Sequence, residues 1–429
     1  MFSNKPMKII IIAWRNIWRT PWRSLVVIGA MSLGVWSGIF MMGWANGLND
    51  QRTISILDDN IGHGRICSRY FLEDQEVFST INELKPIEKL LLSDSNITTF
   101  SSRVICNSMI QGGSGSAPVI AYGVNPNSEK RVFKSVQNIS SGVFFKRQVG
   151  DEVVLGEALA RKLEIDIDDR VVLTFQDING DVRSALFWLV GIYNGASSMI
   201  EESIIYVPSK TISFQMGLID SITLSNKSQI IAHEINYRVK NPYEIEKVNN
   251  ALETSFLKNQ NAESQSIVFR TWKEVSPDLG VADAILSQSL LLFMMIILLA
   301  MSFGILNTML MAVLERTREL GMLMAIGMNK KKIFNLIIIE TILLSFVGLP
   351  FGLFLGHISL LVTSKTGITL KSVEQGFEQM GLESTIYPSV VPEYYLPIVG
   401  LVLILSFLSA LYPARKALKL NPIESMRVL

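Results

Sequence analysis

The sequence predicts an α-helical membrane protein with four transmembrane helices and a large α+β extracytoplasmic domain between the first and second. Three observations carry this. Of 429 residues, 49% are hydrophobic and only 18% charged, and the mean hydropathy is +0.34; soluble chains carry about a quarter charged residues. Four apolar runs are each about as long as the roughly 20 residues that cross a bilayer. A long segment of soluble character separates the first run from the other three. Net charge is +1, which gives no reason to expect nucleic acid.

Residues 1–23 form a basic arm. Lys5, Lys8, Arg15, Arg19 and Arg23 occur with no acidic residue, and Trp14, Trp18 and Trp22 recur every four positions. That spacing predicts one helix face, and basic side chains with interfacial tryptophans suit a helix lying on the cytoplasmic leaflet. Pro21 is placed to begin the next helix. The first span covers 24–46 and is uncharged. It is too long for a signal-peptide core, and Met41-Met42-Gly43-Trp44 is a poor cleavage site. Gly29, Gly34, Gly38 and Gly43 offer notches for close helix contact.

Residues 47–284 form the inserted domain. Asn-Pro, Asn-Gly and Gly-Gly turns punctuate it. A polar helix is expected over 81–92, an alternating strand over 203–207 and another strand over 187–193, while 153–173 reads strand, helix, strand. An α+β domain with an antiparallel or mixed sheet follows. Its two cysteines, Cys67 and Cys106, are open to two readings, one disulfide or two free thiols.

The second span covers 285–314, the third 333–363 and the fourth 394–412. Gly348-Leu349-Pro350 marks a kink or a close backbone approach in the third. Residues 364–393 are an outer loop, in which Glu374, Glu378, Glu383 and Glu393 oppose Lys365 and Lys371. Residues 413–429 are a basic tail. The positive-inside rule places both termini and the connector 315–332 in the cytoplasm, and the large domain and outer loop outside.

Residues with chemistry are sparse. No Gly-Lys dipeptide occurs, so a P-loop is absent. His233-Glu234 begins a zincin pattern, but Tyr237 stands where the second histidine belongs. Gly112-Gly113-Ser114-Gly115-Ser116 lacks the final glycine of a nucleophile elbow and reads as a loop tip. His63, His233 and His357 are scattered, so neither a metal site nor a catalytic set is expected. Asn307 and Glu340 are polar groups inside spans, and an ionisable group at membrane depth is a functional candidate. For Glu340 the competing reading is that it snorkels to the interface or makes a simple ion pair with a nearby connector or tail cation such as Arg316 or Arg415.

The connector is the sharpest feature. Leu320, Leu323, Met324 and Ile326 form an apolar stripe preceded by Arg316, Arg318 and Glu319. Gly327 is placed to stop the helix, and Lys330–Lys332 to lie at lipid headgroups. It reads either as a surface helix or as a knob for a partner's groove.

At these residues the chain resembles the FtsX-like, MacB-type (type VII) ABC transporter permeases. The resemblance rests on Gly304–Thr308, Glu315–Gly321, Ala325-Ile326-Gly327, Glu340, the glycines at 348, 352 and 356, Tyr412–Ala417 and Asn421–Glu424. Arg15–Arg19, Arg23-Ser24, Leu155–Leu163 and Trp272 extend it nearly end to end. Within the family, Gly62-His63-Gly64-Arg65-Ile66 resembles the lipoprotein-releasing LolC/LolE permeases, and the length suits a permease without a fused ATPase.

The resemblance implies a MacB-like periplasmic core domain in an inner-membrane protein that is no enzyme itself. It implies a second permease chain, identical or paralogous, paired through the first two spans, and a separate ATPase subunit that binds ATP and Mg. The segment from Glu315 to Gly327, with Arg316, Arg318, Glu319, Leu320, Leu323, Met324 and Ala325, then corresponds to the coupling helix. Work is done by mechanotransmission, for lipoprotein extraction with a periplasmic carrier, for MacB-like efflux, or for FtsX-like signalling to a cell-wall hydrolase. An acyl cavity is expected where Trp36, Phe40, Met41 and Trp44 face Met294, Met295 and Phe303, unless these residues face lipid or pack a dimer.

Overall fold

The computed structural model describes residues 6–74, 76–81, 84–195, 197–220, 231–258, 267–370, 372, 376–377 and 385–419. Lys5, Lys371, Glu374, Glu378, Glu383 and Asn421–Glu424 lie outside them. The chain forms two compact units: Met1–Asn49 with Asp283–Thr369 and Thr385–Leu429, and Asp50–Ala282 with Leu370–Ser384.

The first unit is built from helices. An arm helix, α1 (Pro6–Arg19), precedes α2 (Pro21–Ile56). After the inserted domain come α3 (Pro277–Glu315), the short α4 (Thr317–Ala325), α5 (Lys330–Thr366) and α6 (Tyr395–Leu418). Four of these, α2, α3, α5 and α6, are long and apolar enough to cross a membrane. All four run past the apolar segments that announced them, because helical hydrogen bonding continues into polar sequence where water is available. The arm breaks at Thr20, so Trp22 opens α2 and shares no helix with Trp14 and Trp18, which meet edge-to-face at 6.0 Å. On α1, Ala13 and Ile17 are buried while Ile10, Ile11, Trp14 and Trp18 are exposed.

Close packing in this unit comes from a glycine row on α5. Helix α5 continues through Pro350, and what the Gly348 region supplies is close approach. A Cβ on Gly348 would lie 3.0 Å from Met31, one on Gly352 2.7 Å from the Ser32 carbonyl, and one on Gly356 3.0 Å from Ile39. Removing side chains at i, i+4 and i+8 opens one groove along the helix, in which α2 lies. Of the α2 glycines, Gly34 meets Met301 and Gly43 meets Leu360 and the Ser389 carbonyl, whereas Gly29 and Gly38 meet nothing within 4 Å.

The second unit is α+β. Its strands are β1 (Gly64–Ser68), β2 (Ile97–Gly112), β3 (Gly115–Val124), β4 (Ile139–Gly142), β5 (Glu152–Gly156), β6 (Arg170–Gln176), β7 (Val182–Tyr193), β8 (Ile204–Pro208), β9 (Glu234–Val239) and β10 (Ile267–Thr271). The sheet is mixed, with β3–β8 and β5–β7 parallel. Its pairings divide it into two lobes. In the first, β10, β1, β9 and the first half of β2 form an antiparallel sheet. The helices Leu84–Ser93 and Ile245–Lys258 bury Ile87, Leu91, Val248 and Leu252 in that lobe's core. In the second, β2, β3, β8, β5, β7 and β6 pair in a closed circuit, because β6 bonds both β7 and the second half of β2.

Closure removes sheet edges, and the inward side chains of the circuit, among them Ile110, Val153, Leu155, Leu173, Phe187 and Val207, form one buried cluster. This explains β8: the strand read as alternating is buried at all five positions. Gly113-Ser114 is the two-residue turn of the β2–β3 hairpin, with Gly113 at φ +50°, a backbone region glycine adopts readily. Cys67 and Cys106 are both buried free thiols. The polar helix begins at Leu84, since Ile81 bridges to Ala232 instead.

Candidate functional site

Between α3 and α5 the chain has only fourteen residues, 316–329, in which to reverse. Arg316 leaves helical geometry at φ −97°, ψ 16°, and α4 begins at the next residue. Its C-terminus is closed by a Schellman motif: Gly327 N–H donates to the Met324 carbonyl and Met328 N–H to that of Leu323. Gly327 sits at φ +98°, where a Cβ would be strained. Two residues later the Asn329 side chain accepts from Lys331 N–H and caps α5.

Helix α4 is fixed from below by charge. Arg316 donates through Nε to Glu319 at 3.1 Å and through Nη1 to Glu340 at 3.2 Å. Arg19 of α1 approaches Glu319 at 3.0 Å, and Arg23 of α2 pairs with Glu315 at the end of α3. Glu340 belongs to α5, so one ladder of charge ties α1, α4 and α5, and a separate pair ties α2 to the end of α3. The Arg316 and Glu340 side chains are only 19% and 13% exposed, and a carboxylate at that depth persists because a cation reaches it. Arg316 is thus the partner of Glu340. Beside the ladder lies a groove of about 390 Å³, lined by apolar residues including Met309, Val313, Leu323 and Ile337.

The two faces of α4 differ. Leu320 is buried with Val313 and Ile333, and Met324 packs on the same cluster. Leu323 is half-buried. Ile326, expected in that stripe, is instead 68% exposed, and Met322 is 50% exposed. With exposed Arg318 and Ala325 they form an outward face. The helix ends before Ile326, which turns it away from the stripe.

The other named residues separate. Asn307 is exposed on α3. Trp36 donates to Ser359 of α5 at 3.0 Å and stacks on Phe40. Met294 is buried with Val35, Ile39 and Met42, and Phe40 packs on that cluster. Met295 and Phe303 are 51% and 59% exposed, while Met41 and Trp44 are half-buried. The seven side chains of the expected acyl cavity therefore do not converge: Trp36 engages α5, and α3 turns Met294 inward but Met295 and Phe303 outward. Among the described residues no group of three or more His, Cys, Asp or Glu is arranged to hold a metal.

Sequence reasoning missed a buried ionic cluster in the second unit. Arg103, with a fully buried side chain, donates through Nε to Glu129 at 2.7 Å and through Nη1 to the Asn60 carbonyl at 2.7 Å. Its Nη2 lies 2.7 Å from Glu129 but out of line for a hydrogen bond. Glu234 stands 3.7 Å from Arg103 and 2.9 Å from Arg65. The Arg103 guanidinium also covers the rings of Phe133 and Tyr122, at 3.9 and 4.5 Å. Burial opposes its charge, but Glu129, then Tyr122, Tyr206 and Glu234, hold its pKa above the ordinary value. The His233-Glu234 pair that resembled a broken metal motif serves here, with His233 Nδ1 accepting from Ile105 N–H at 2.9 Å. The available signal was an arginine inside an apolar strand, Ser101-Ser102-Arg103-Val104-Ile105.

Four apolar helices around a charged, capped reversal, with an inserted α+β domain, define a multi-pass permease-type membrane protein. The model of the MacB-like periplasmic core domain matches residues 24–255, and that of the FtsX-like permease C-terminal matches 291–422. The chain belongs to this family, the FtsX-like, MacB-type ABC transporter permeases.

A Wolinella succinogenes "Macrolide export ATP-binding/permease protein MacB" is 23% identical over 432 residues, 97% of this chain and 60% of that protein. A Buchnera aphidicola "Lipoprotein-releasing system transmembrane protein LolC" is 26% identical over 281 residues, 63% of this chain and 64% of that one. A Rhodopirellula baltica MacB is 36% identical over 125 residues, covering 29% of this chain and 16% of that protein. Each alignment thus spans less than two thirds of the relative's length. The crystallised periplasmic region of MacB from Actinobacillus actinomycetemcomitans aligns with 52% of this chain and 95% of its own, at 15% identity and TM-score 0.33.

Proposed function

We propose that this chain is the permease subunit of an ATP-driven transporter and that α4 is its energy port, docking a separate ATPase subunit on the cytoplasmic side. The observation that carries the reading is the construction of α4. It is capped at Gly327, tied by Arg316 and Glu319 to α1 and α5, and leaves Met322, Ala325 and Ile326 uncovered. A short helix held this firmly transmits a push to its neighbours without unravelling. No P-loop occurs in these 429 residues, so ATP and Mg bind outside them. The basic arm, connector and tail support cytoplasmic termini.

In this reading the work is mechanotransmission, from α4 through α3 and α2 to the domain outside, and two copies or paralogues assemble. The cargo we propose is a lipoprotein anchored in the outer leaflet, supported by the LolC relative. The MacB relative, aligned over 97% of the chain, favours efflux as the second reading.

The test is co-purification of the full chain with an ATPase, wild type against Met322→Asp/Ile326→Asp. Each of these half-exposed or more exposed side chains stands to lose about 1–2 kcal/mol of apolar contact, so the pair weakens docking by on the order of 100-fold. Unchanged association sinks the port. For cargo, photocrosslinkers at Trp44, Met295 and Phe303 are expected to capture a lipoprotein. Capture of an adaptor protein instead selects efflux.

A further inference from the structure

Strand β2 belongs to both lobes of the second unit, and one residue stands at the crossing. Along β2, Arg103 is the last residue paired with β9, opposite Glu234, and the first paired with β3, opposite Val124. Its backbone therefore closes both ladders. Its side chain reaches a third element, the π-helical turn Leu57–Ile61 that continues α2, donating through Nη1 to the Asn60 carbonyl while Nε donates to Glu129.

That turn is also held by ion pairs and a hydrogen bond. Arg238 and Lys134 both approach Asp58 at 2.6 Å, and Ser135 donates to the Asp59 carbonyl at 2.8 Å. Leu57 and Ile61 pack on Leu279, in the first turn of α3, with Trp272 and Val275 alongside. A π-turn is a poorly bonded way to end a helix, and a fully buried guanidinium is an expensive way to hold one. Their pairing at the crossing of two sheets calls for an explanation beyond stability.

We infer that Arg103 is a positioning residue that locks the end of α2 to both lobes at once, so that the three move as one body. This rests on the mechanotransmission reading for its use, since a push along α2 does work outside only if the far end does not yield. The lock itself is a property of the second unit and is measurable without any ATPase.

The experiment uses the full chain in detergent with paired spin labels. Ile54, Leu92 and Val182, all exposed, are replaced by cysteine in pairs, giving Ile54–Leu92 for the four-stranded lobe and Ile54–Val182 for the closed circuit. The buried Cys67 and Cys106, whose thiol pKa values burial pushes up to about 12, stay unlabelled.

Wild type is expected to give one narrow distance distribution for each pair. Arg103→Gln is expected to lose both narrow peaks, and Arg103→Lys, which keeps the charge but not the fork, to lose at least one. Arg238→Ala, at the partly exposed edge of the clamp, provides the same readout on Ile54–Leu92 where Arg103→Gln does not fold. A lowered unfolding midpoint with both distributions as narrow as wild type assigns Arg103 a merely structural role and overturns the inference. A wild-type chain that gives narrow distances but never co-purifies with an ATPase would instead count against the port at α4 and leave the lock standing.

Discussion

The charge ladder under α4 makes an asymmetric prediction for Arg316 and Glu340. At 3.2 Å and an effective dielectric near 20, their direct attraction is about 5 kcal/mol before desolvation is subtracted. Exposures of 13% and 19% make the site mostly dry, so removing one partner costs about 2–4 kcal/mol, toward the lower end of what buried pairs lose. The connectivity then separates the two deletions. Glu340→Gln leaves Arg316 still bonded to Glu319, whereas Arg316→Met strands Glu340 and weakens the hold on Glu319, which retains only the exposed Arg19. Arg316→Met is therefore the more destabilising, and the double variant costs less than the sum by about 1–3 kcal/mol. Unfolding of the full chain in detergent, followed as a double-mutant cycle, measures this. Equal single costs, or costs that simply add, would refute the ladder as the anchor of α4.

Two further outcomes are expected. Gly352→Leu drives a Cβ to within 2.7 Å of the Ser32 carbonyl, a backbone atom that cannot rotate away, and destabilises by about 1–3 kcal/mol; Gly29→Ala, with nothing within 4 Å, is neutral or stabilising, and equal losses at the two sites would count against close α2–α5 packing. His233 is buried neutral, accepting from Ile105 and hydrogen-bonded through Nε2 to the Val77 carbonyl, and burial lowers its pKa below 6.5. The unfolded chain then binds the proton more readily, so its contribution is complete above pH 6.5 and is lost as pH falls below it, by at most about 1.4 kcal/mol per pH unit. Protection factors along β2, which allow for the slower intrinsic exchange at lower pH, should fall over that window in wild type and not in His233→Gln.

The membrane half of this fold was legible because its determinants are local. An apolar run of bilayer length must satisfy its backbone as a helix, and Gly327 ends α4 through its own φ. Where the glycines at 348, 352 and 356 point was a matter of helical period alone. Ile326 was misplaced because its side chain's direction depends on the Schellman turn rather than on that period. The closed circuit of strands escaped the sequence for the opposite reason. Strand β6 closes the circuit by pairing with β2, some 60 residues earlier in the chain, and nothing in Arg170–Gln176 specifies that partner. The Arg103 cluster escaped likewise, its charges brought together from β2, β9 and the helix after Asn125 only by folding.

The joint between α4 and α5 also constrains what length variation the protein can tolerate. The cap at Gly327 and the cap at Asn329 leave a single residue, Met328, between them. Neither helix has a frayed turn there to take up slack. One inserted residue would turn α5 by about 100° relative to α4, moving Glu340 off Arg316 and the glycine row off α2 in one step. The domain loops have room to lengthen and shorten through evolution, but this joint should be fixed in length to the residue.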